Sequence, residues 1–471
     1  RLTFCDGTEV TVACNAAAEA PLIGIAVDGD AYYWTLAAEK DIPWLKDAAG
    51  AKMPVSGPVP VVGRDDKGFW TVTTDAAVTP WQIGDGSGNP VEATGDEQVE
   101  LFRSVKAGNG RVEIALTDGG TLSAAQVNDL SVAGTANCYV VSAPGTYVFN
   151  ARVRGNGAGE GVGFEPAIEM ADGMTADWLW TDSEGLVSGV ALDTTSGDIF
   201  LTVGEGRGNA LVALMQDGKV VWSWHVWVTD APQTMTYGNG TVFMDRNLGA
   251  VGTTAGGTDA YGMYYQWGRK DPFVGPRYYN MADSADAQVY DSQNLRVYPE
   301  YAATDAERGS AGYASAHAMT FITGTKESGY NWLQTADASL WGTEKNNNDP
   351  CPKGWKVPSK EAFAALHIKD VISPELEKNY GFTLSDGTNE AFFPGAGRRS
   401  FYTGALTNMN DNEVRPTPWT GYYWSSTGEG KEAYAMDFSF DINGTRAGSS
   451  FQGAALQYAA GGMQVRCVKI R

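Results

Sequence analysis

The stretch "GYYWSSTGEGKEAYAMDFSF", Gly421–Phe440, is the part of the sequence that decides how the C-terminal half is interpreted. If it forms two strands joined at the Gly-rich turn, alternate side chains point to opposite faces of a sheet. In the first strand this separates Tyr422 and Trp424 from Tyr423 and Ser425. The second strand repeats the pattern, with Ala435, Asp437 and Ser439 opposed to Met436, Phe438 and Phe440. The stretch is either a ligand-stacking surface or the interior of a sheet, and this two-faced pattern favours the interior, with at most one or two aromatic rings reaching a groove.

Composition narrows the class of protein. The chain has 471 residues, which predicts two to four domains. Glycine (58 residues), Trp (15) and Tyr (21) are abundant and charged residues make up only 19%, a profile typical of a β-rich, turn-rich protein. The net charge is −22 and no Lys/Arg cluster occurs, so nucleic acid and anionic lipid surfaces are excluded as partners.

The N-terminal residue and the cysteine count give only weak information about the cellular compartment. Residue 1 is Arg rather than Met, so we expect a trimmed product from which an export segment has been removed. No apolar run approaches the roughly 18 residues of a membrane helix. Five cysteines are too few for a disulfide scaffold, and their odd number leaves at least one unpaired.

The first segment, residues 1–130, contains an internal repeat. "YWTLAAEKDIPWLKDAAGAKMPVSG" (Tyr33–Gly57) returns as "FWTVTTDAAVTPWQIGDGSGNPVEATG" (Phe69–Gly95), with Trp34 and Trp44 matched to Trp70 and Trp81. Each copy is too small to bury much surface alone. We therefore expect the two to stack as one module of repeated small β units.

Two further segments follow. Residues 131–235 contain alternating strands punctuated by Gly and Asp-Gly turns, which predict a central β-sandwich, with Ala231–Gly240 as the linker out of it. Residues 236–471 combine long loops with a predicted helix that begins after Ser359 and places Phe363 and Leu366 on one face. The expected fold class is thus multidomain and β-rich, ending in an α+β domain.

Six motifs follow in order through the third segment and carry a family resemblance: "FMDRNLGA" (Phe243–Ala250), "YGMYYQWGRKDPF" (Tyr261–Phe273), "DPCPKGWKVPS" (Asp349–Ser359), "FFPGAGRR" (Phe392–Arg399), "YYWSST" (Tyr422–Thr427) and "VRCVK" (Val465–Lys469). Together they resemble the Fibrobacter succinogenes major paralogous domain, whose fold is related to C-type lectins and formylglycine-generating enzymes. The middle segment is similar to the module that commonly precedes this domain in Bacteroidetes surface proteins. The first segment resembles the N-terminal domain of some polysaccharide lyases and of many surface lipoproteins of that phylum.

The resemblance implies an exported lipoprotein on the outer-membrane surface of a Gram-negative bacterium, touching the membrane only through an N-terminal lipid anchor absent from this sequence. It also implies a C-type-lectin-like third domain in which Cys351 and Cys467 form a disulfide, because lectin-like relatives often tie comparable points together. We expect this to be the only disulfide. A turn at Asp6-Gly7 places Cys5 opposite Thr8, which leaves Cys14 out of reach of Cys5.

No catalytic signature stands out. Of the three histidines, His225 alternates with tryptophans along a strand, His367 follows Leu366 on the predicted helix, and His317 has no recognisable partner. Nucleophile-elbow, phosphate-loop and zinc-helix motifs are missing. A cysteine pair like that of formylglycine-generating enzymes is not available if Cys351 bonds Cys467. The sugar-binding motifs of calcium-dependent lectins are also missing, and "NMND" (Asn408–Asp411) is the nearest string in this segment. No cofactor is predicted, although a calcium ion held by loop carboxylates and carbonyls stays an open alternative.

These observations favour a non-catalytic surface protein that binds a glycan or a surface protein. A carbohydrate-active enzyme and a structural or assembly subunit whose edge strands pair with another copy are the alternatives. The long segment Arg277–Gly342 is rich in Asp, Asn, Ser and Tyr, and loops of that length are usually functional or disordered. The predicted contact residues are Tyr278, Tyr279, Asn331, Trp332, Trp341, Asp349, Tyr422 and Trp424. The competing interpretation is that Trp332 and Trp341 anchor the loop to the core.

Overall fold

The structure is a computed structural model of the 471-residue chain. It describes residues 2–3, 9–10, 22–29, 31–37, 44–47, 49–55, 61–73, 79–83, 89–91, 93, 102–108, 111–116, 121–125, 127–157, 165–254, 258–276, 286–364, 366–372, 381–407, 419–440 and 450–470. The described chain is β-rich and divides into two compact units, Arg1–Gln126 and Val127–Arg471. The second unit contains both the middle and the third segment of the sequence.

The strands of the first unit are short and form separate small sheets. They are β1 (Leu2–Thr3), β2 (Glu9–Val10), β3 (Leu22–Asp28), β4 (Ala31–Ala37), β5 (Val61–Arg64), β6 (Trp70–Thr73), β7 (Trp81–Gln82), β8 (Phe102–Gly108), β9 (Arg111–Leu116) and β10 (Thr121–Ala125). Strand β1 pairs with β2 and β3 with β4, while β5–β6–β7 and β8–β9–β10 are antiparallel meanders. Sheets of only two or three short strands are marginally stable alone, so packing has to stabilise the unit.

The internal repeat has the same backbone geometry in both copies. In the first copy, the Trp34 N–H donates to the Met53 carbonyl (3.0 Å), Met53 to Leu45 (2.9 Å) and Leu45 back to Trp34 (2.8 Å). The second copy closes the same ring through Trp70, Val91 and Ile83, at 3.0, 2.8 and 2.8 Å. Each repeat is thus a closed triangle of three short strands.

The two copies share one core, as the sequence predicts. Leu45 and Met53 of the first copy pack with Val72 and Ile83 of the second. One detail of the repeat alignment is wrong: Trp44 is equivalent to Gln82 rather than to Trp81. Thr35 pairs with Trp44 and Thr71 with Gln82, because the second copy has two more residues before this strand.

The middle segment forms two sheets that face each other. Its strands are β11 (Val127–Asp129), β12 (Cys138–Val141), β13 (Gly145–Asn150), β14 (Met174–Thr181), β15 (Val187–Asp193), β16 (Asp198–Val203), β17 (Gly208–Gln216) and β18 (Lys219–Val228). One sheet has the order β11–β13–β16–β15, and the other contains β12–β18–β17–β14. Phe149 and Leu201 from the first sheet pack against Val212 and Trp224 from the second, with the Phe149 and Trp224 rings 5.2 Å apart. This is the packing of a β-sandwich.

The third segment is built from many short strands and a three-stranded sheet of longer ones. The strands are β19 (Thr234–Thr236), β20 (Val242–Met244), β21 (Tyr265–Gln266), β22 (Val289–Tyr290), β23 (Arg296–Val297), β24 (Glu300–Ala303), β25 (Thr320–Thr323), β26 (Trp355–Lys356), β27 (His367–Ile372), β28 (Gly381–Ser385), β29 (Glu390–Pro394), β30 (Arg398–Arg399), β31 (Leu406–Thr407), β32 (Trp419–Glu429), β33 (Glu432–Phe440), β34 (Ser450–Tyr458), β35 (Gly462–Met463) and β36 (Val468–Lys469). Strands β32, β33 and β34 form the three-stranded antiparallel sheet. Helix α1 (Ala311–Ala316) and a 3₁₀ helix (Lys360–Phe363) accompany them.

The helix predicted after Ser359 is wrong beyond its first turn. The 3₁₀ helix ends at Phe363, and β27 begins at His367 and pairs with β28. Spacing of three residues between Phe363 and Leu366 suits a 3₁₀ turn as well as an α-helix. The β-branched residues that follow then favour a strand. Among the described residues the third segment is therefore mainly β rather than α+β.

The two strands of the quoted stretch lie inside the fold with both faces covered, while the turn at residues 429–431 is exposed. Tyr422 and Trp424 belong to one hydrophobic core, whereas Tyr423, Met436 and Phe438 belong to another on the opposite side of the sheet. The alternation predicted from the sequence is confirmed.

The middle and third segments are joined by shared packing. Strand β22 pairs with β14, so the hairpin β22–β23 extends a sheet of the sandwich. Trp180 and Trp227 of the sandwich share a core with Trp267 of the third segment. The expected linker takes part in this structure, because β19 pairs with β20 and Tyr237 is buried.

Cys351 and Cys467 form a disulfide with Cα atoms 6.0 Å apart, as the family resemblance implied. The bond ties the loop before β26 to the residue before β36. Cys138 is a buried free thiol, and burial raises its pKa. Cys5 and Cys14 lie outside the described residues.

Candidate functional site

The three predicted tryptophans are structural anchors. Each is at most 1% exposed. Their indole N–H groups donate to backbone carbonyls, Trp332 to Trp267 (2.7 Å), Trp341 to Asn348 (2.8 Å) and Trp424 to Tyr265 (2.8 Å). Buried rings whose polar atoms are satisfied cannot stack on a sugar, so the anchoring interpretation of Trp332 and Trp341 describes them better.

The other described candidates also shape loops. Asn331 is buried, accepting from the Leu333 N–H (2.8 Å) and donating to the Lys431 carbonyl (3.0 Å). The buried Asp349 carboxylate accepts from the backbone N–H groups of Cys351 and Val357, both at 2.9 Å, and from Lys345 Nζ at 2.9 Å. Tyr422 is 8% exposed and lies in the core. The prediction that these six residues contact a ligand at the surface is wrong, because all six are buried. Tyr278 and Tyr279 lie outside the described residues.

His225 belongs to a buried polar chain rather than to a reactive centre. Its Nε2–H donates to Asn209 Oδ1 (2.8 Å), because the Asn209 amide group already donates to Asp182, and its Nδ1 accepts from the Tyr265 hydroxyl (3.3 Å). Burial lowers the pKa of His225 from 6.5 to about 3, so the ring is neutral at physiological pH. Burial raises the pKa of Asp182 to about 6, against the hydrogen bonds from Asn209.

The other two histidines offer no catalytic geometry. His317 ends α1 and stacks on Tyr313 with ring centres 3.8 Å apart. His367 is the first residue of β27. No group of three or more His, Cys, Asp or Glu side chains suited to a metal is present in the part of the chain that the structure describes.

A buried Ser–Lys–Asp group is the arrangement closest to an enzyme's. Lys270 Nζ donates to Ser223 Oγ (2.6 Å), and Ser223 donates to Asp271 Oδ1 (2.6 Å). Burial lowers the pKa of Lys270, while Asp271 opposes that change. All three residues are at most 3% exposed. The adjoining cavity, lined by Lys270 and Asp271, measures about 10 Å³, room for about one water molecule, and the serine itself is buried.

The surface feature that does present rings to solvent is an aromatic platform, which we define as Tyr301, Tyr330, Phe401, Tyr402 and Tyr458. Tyr330 lies 5.1 Å from Phe401, 6.4 Å from Tyr402 and 5.0 Å from Tyr458, measured between ring centres. Phe401 and Tyr458 are 4.5 Å apart. Tyr402 is 65% exposed and Tyr301 46%. Tyr330, Phe401 and Tyr458 are half-buried, so the cluster presents its rings to solvent mainly through Tyr402, with Tyr301 exposed nearby at Gly404.

The fold fixes the ring of Tyr301. Its hydroxyl donates to Asp286 (3.1 Å) and accepts from Arg399 (3.1 Å), a fully buried arginine that also binds Asp286 (2.8 Å). The ring packs on Gly404, where φ is +76° and an added Cβ would lie 2.2 Å from the ring. Glycine is required at this turn, which carries Phe401 and Tyr402.

Tyr330 is held in a backbone conformation that non-glycine residues rarely adopt, with φ of +59°. Its N–H donates to the Thr325 carbonyl (2.8 Å), and its carbonyl accepts from Ala460 (3.2 Å). The loop passes so close to Gly324 that a Cβ there would lie 2.5 Å from the Tyr330 backbone. Such strain is found where the surrounding structure holds a functional side chain in place.

Polar groups adjoin the platform. Arg398 Nη1 donates to Gln457 Oε1 (2.7 Å), and Gln457 Nε2 donates to Asp437 Oδ2 (3.0 Å). The Arg398 guanidinium also lies 5.9 Å from the ring centre of Phe401. Burial raises the pKa of Asp437 above its usual value, and no described carboxylate contributes to that change. The platform therefore combines aromatic rings with donors and acceptors, and its two described carboxylates, Asp286 at Tyr301 and Asp437 at Gln457, each accept from a neighbouring side chain.

Reasoning from sequence missed this site because its rings come from four separated places in the chain. It gave priority to tryptophans, which proved to be the core. The usable signal was "SFYTG" (Ser400–Gly404), where two aromatic residues enter a Gly-containing turn. Aromatic residues in such a turn have little neighbouring chain to cover them.

Comparison with protein-family models finds no match, and comparison with curated proteins finds no matching relative. The resemblances drawn from the sequence therefore stay predictions. Among the described residues, no helix is long and apolar enough to span a membrane.

Proposed function

We propose that this protein is a non-catalytic binding protein of the cell surface that holds a glycan on the aromatic platform. The observation that carries the proposal is the pair of exposed tyrosines, Tyr301 and Tyr402, beside a group of rings within 4.5–6.4 Å of one another. The ring faces of tyrosine are apolar and suit the C–H faces of pyranose sugars, while the polar groups alongside suit hydroxyls.

Pre-organisation supports a binding role. The Tyr301 hydroxyl is fixed by Arg399 and Asp286, and Tyr330 is held by its strained loop. Rings already fixed in place lose little conformational entropy when a ligand binds. The rings are tilted by 57–78° to one another and form an open, uneven surface. Such a surface suits an extended polysaccharide better than a small molecule, which needs a concave pocket.

Two alternatives are less well supported. A carbohydrate-active enzyme requires two carboxylates across one ligand; of the two beside the platform, Asp286 is bound by Arg399 (2.8 Å) and Tyr301 (3.1 Å), and Asp437 accepts from Gln457. An assembly subunit requires a flat strand edge. Strand β34 lies at the edge of its sheet, but it contains a β-bulge: two of its residues, Gly453 and Ala454, lie opposite the single residue Met436 of β33. Bulges blunt edge-to-edge pairing.

Exported location is part of the proposal. A structural disulfide such as Cys351–Cys467 persists in oxidising compartments outside the cytosol. The C-type-lectin-like fold of the third segment, the lyase-like first segment and the lipid anchor on the outer membrane belong to this proposal as implications of the sequence resemblance.

A glycan-array screen of the soluble chain, with calcium and with EDTA, tests the function. We expect a defined set of glycans to bind in both conditions, and binding to fall at least tenfold in Tyr402→Ala. Tyr298→Ala is the matched control, because Tyr298 is 60% exposed and makes no ring contact with the platform. Equal binding by all three proteins would contradict the platform as the site; binding only with calcium would point to a metal-dependent site instead.

A further inference from the structure

The polar group beside the platform is electrically balanced. Arg398 contributes one positive charge and Asp437 one negative charge, and the neutral Gln457 side chain connects them through hydrogen bonds of 2.7 and 3.0 Å. An arginine that is already compensated in this way does not offer a net positive site to an anionic ligand.

The same group is incomplete as a hydrogen-bond network. Arg398 Nε is buried and has no partner among the described residues. The second oxygen of Asp437 accepts no hydrogen bond from a described residue. The second Asp437 oxygen can accept from a sugar hydroxyl, whereas Arg398 Nε is enclosed in the fold and is not itself a ligand contact. Unsatisfied polar atoms at such a position call for a ligand or ordered water.

The position of the group relative to the rings fits a bound sugar. The Arg398 guanidinium lies 4.7 Å from the ring centre of Tyr422, which holds it in place, and 5.9 Å from that of Phe401. Because the guanidinium borders Phe401, a sugar ring stacked on Phe401 would have hydroxyls within reach of this group.

Charge decides between classes of glycan. The chain carries a net charge of −22. Its field repels polyanions, and a ligand carboxylate at the platform would meet Asp437 next to the compensated Arg398. Resting on the proposed glycan-binding function, we infer that the platform takes neutral polysaccharides, that Arg398, Gln457 and Asp437 recognise their hydroxyls, and that polyuronates are rejected.

The test compares neutral polysaccharides (β-glucan, mannan and xylan) with polyuronates (polygalacturonate and alginate) by affinity electrophoresis of the full chain. At least one neutral polysaccharide should bind at least tenfold more tightly than either polyuronate. Binding should also change less than twofold between about 50 and about 500 mM NaCl, because a neutral ligand is not subject to ionic screening. A preference for a polyuronate that disappears at high salt would overturn the inference while leaving the platform as a glycan site.

Variants separate recognition from folding. We expect Asp437→Asn, which keeps the shape of the side chain, and Arg398→Gln to weaken neutral binding about tenfold, equivalent to about 1.4 kcal/mol. Their melting temperatures should stay close to that of the unaltered protein. If Arg398→Gln unfolds, Asp437→Asn decides. Unchanged affinity in Asp437→Asn would overturn the inference, and absence of binding to every polysaccharide would contradict the proposed function itself.

Discussion

At the scale of single residues, the aromatic side chains divide into anchors and contact surfaces, and exposure separates the two. Trp332 and Trp424 bury their rings and donate their indole N–H groups to backbone carbonyls. Tyr402 exposes most of its ring beside a turn. The same residue types therefore serve opposite purposes, and composition alone could not distinguish them.

Trp332→Ala is expected to destabilise the protein rather than to remove a ligand contact. Deleting a buried indole leaves a cavity and an unpaired carbonyl on Trp267, at a cost of about 3–5 kcal/mol. Chemical denaturation measures this loss, with Tyr298→Ala as the exposed control. An unchanged midpoint for Trp332→Ala would show that the ring does not support the core.

His225 makes stability depend on pH. Its pKa is about 3 in the folded chain and 6.5 for an unperturbed histidine, so the unfolded chain binds the proton more tightly. Its contribution is complete above pH 6.5 and is lost as pH falls toward 3, with about 2 kcal/mol gone by pH 5.

His225→Gln tests this contribution, because a glutamine can donate to Asn209 and accept from Tyr265 without titrating. Between pH 7 and pH 5, urea denaturation should show a stability loss about 2 kcal/mol larger in the unaltered protein than in the variant. Asp182, whose pKa is raised to about 6, is present in both proteins. Its protonation stabilises the folded state as pH falls, and this effect cancels when the two proteins are compared. Identical pH dependence would mean that His225 is protonated in the folded state.

At the scale of elements, the sequence specified strands and turns better than helices. The alternation in Gly421–Phe440 predicted both faces of β32 and β33 correctly, since a period of two has one structural meaning. The apolar spacing of Phe363 and Leu366 was ambiguous, because packing of Phe363 on Phe243 at 5.5 Å satisfies it within a single 3₁₀ turn. Tertiary packing decided that segment.

The disulfide joins two elements that are distant in sequence. Cys351 and Cys467 are separated by 116 residues. In the chain-entropy model a closed loop of this size stabilises the folded state by about 4–5 kcal/mol.

Replacing both cysteines by serine should lower the free energy of unfolding by about 2–5 kcal/mol, measured by chemical denaturation without reductant. Cys138→Ser is the matched control for loss of a buried sulfur, because Cys138 is buried and unpaired. Equal stability of the double variant and the unaltered protein would show that the bond contributes nothing to the fold.

At the scale of the whole molecule, the sequence indicated three segments and the structure forms two compact units. The middle and third segments each have a strand pattern of their own, which explains the expected division. Their common core cannot be predicted from the local sequence pattern, because Trp180 and Trp267 are far apart in the chain and join one core only in the folded protein. The platform was hidden for the same reason, since Tyr330, Phe401 and Tyr458 come together from distant positions.

Limited proteolysis separates these two views of Val127–Arg471. If Ala231–Gly240 were a linker it would be cut first, whereas pairing of β19 with β20 and burial of Tyr237 predict protection. We expect cleavage within Ala231–Gly240 to be no faster than cleavage elsewhere in Val127–Arg471. Mass spectrometry of the fragments over time measures both rates. Early release of separate middle and third fragments would contradict a shared core.

The central claim is that the aromatic platform binds glycan, and calorimetric titration with the best polysaccharide from the array tests it most directly. Removing an exposed ring that contacts the ligand costs at least about 1.4 kcal/mol, so Tyr402→Ala should bind at least tenfold more weakly. Tyr298→Ala should bind like the unaltered protein, and all three should melt at the same temperature. Full affinity in Tyr402→Ala, or an equal loss in Tyr298→Ala, would contradict the account.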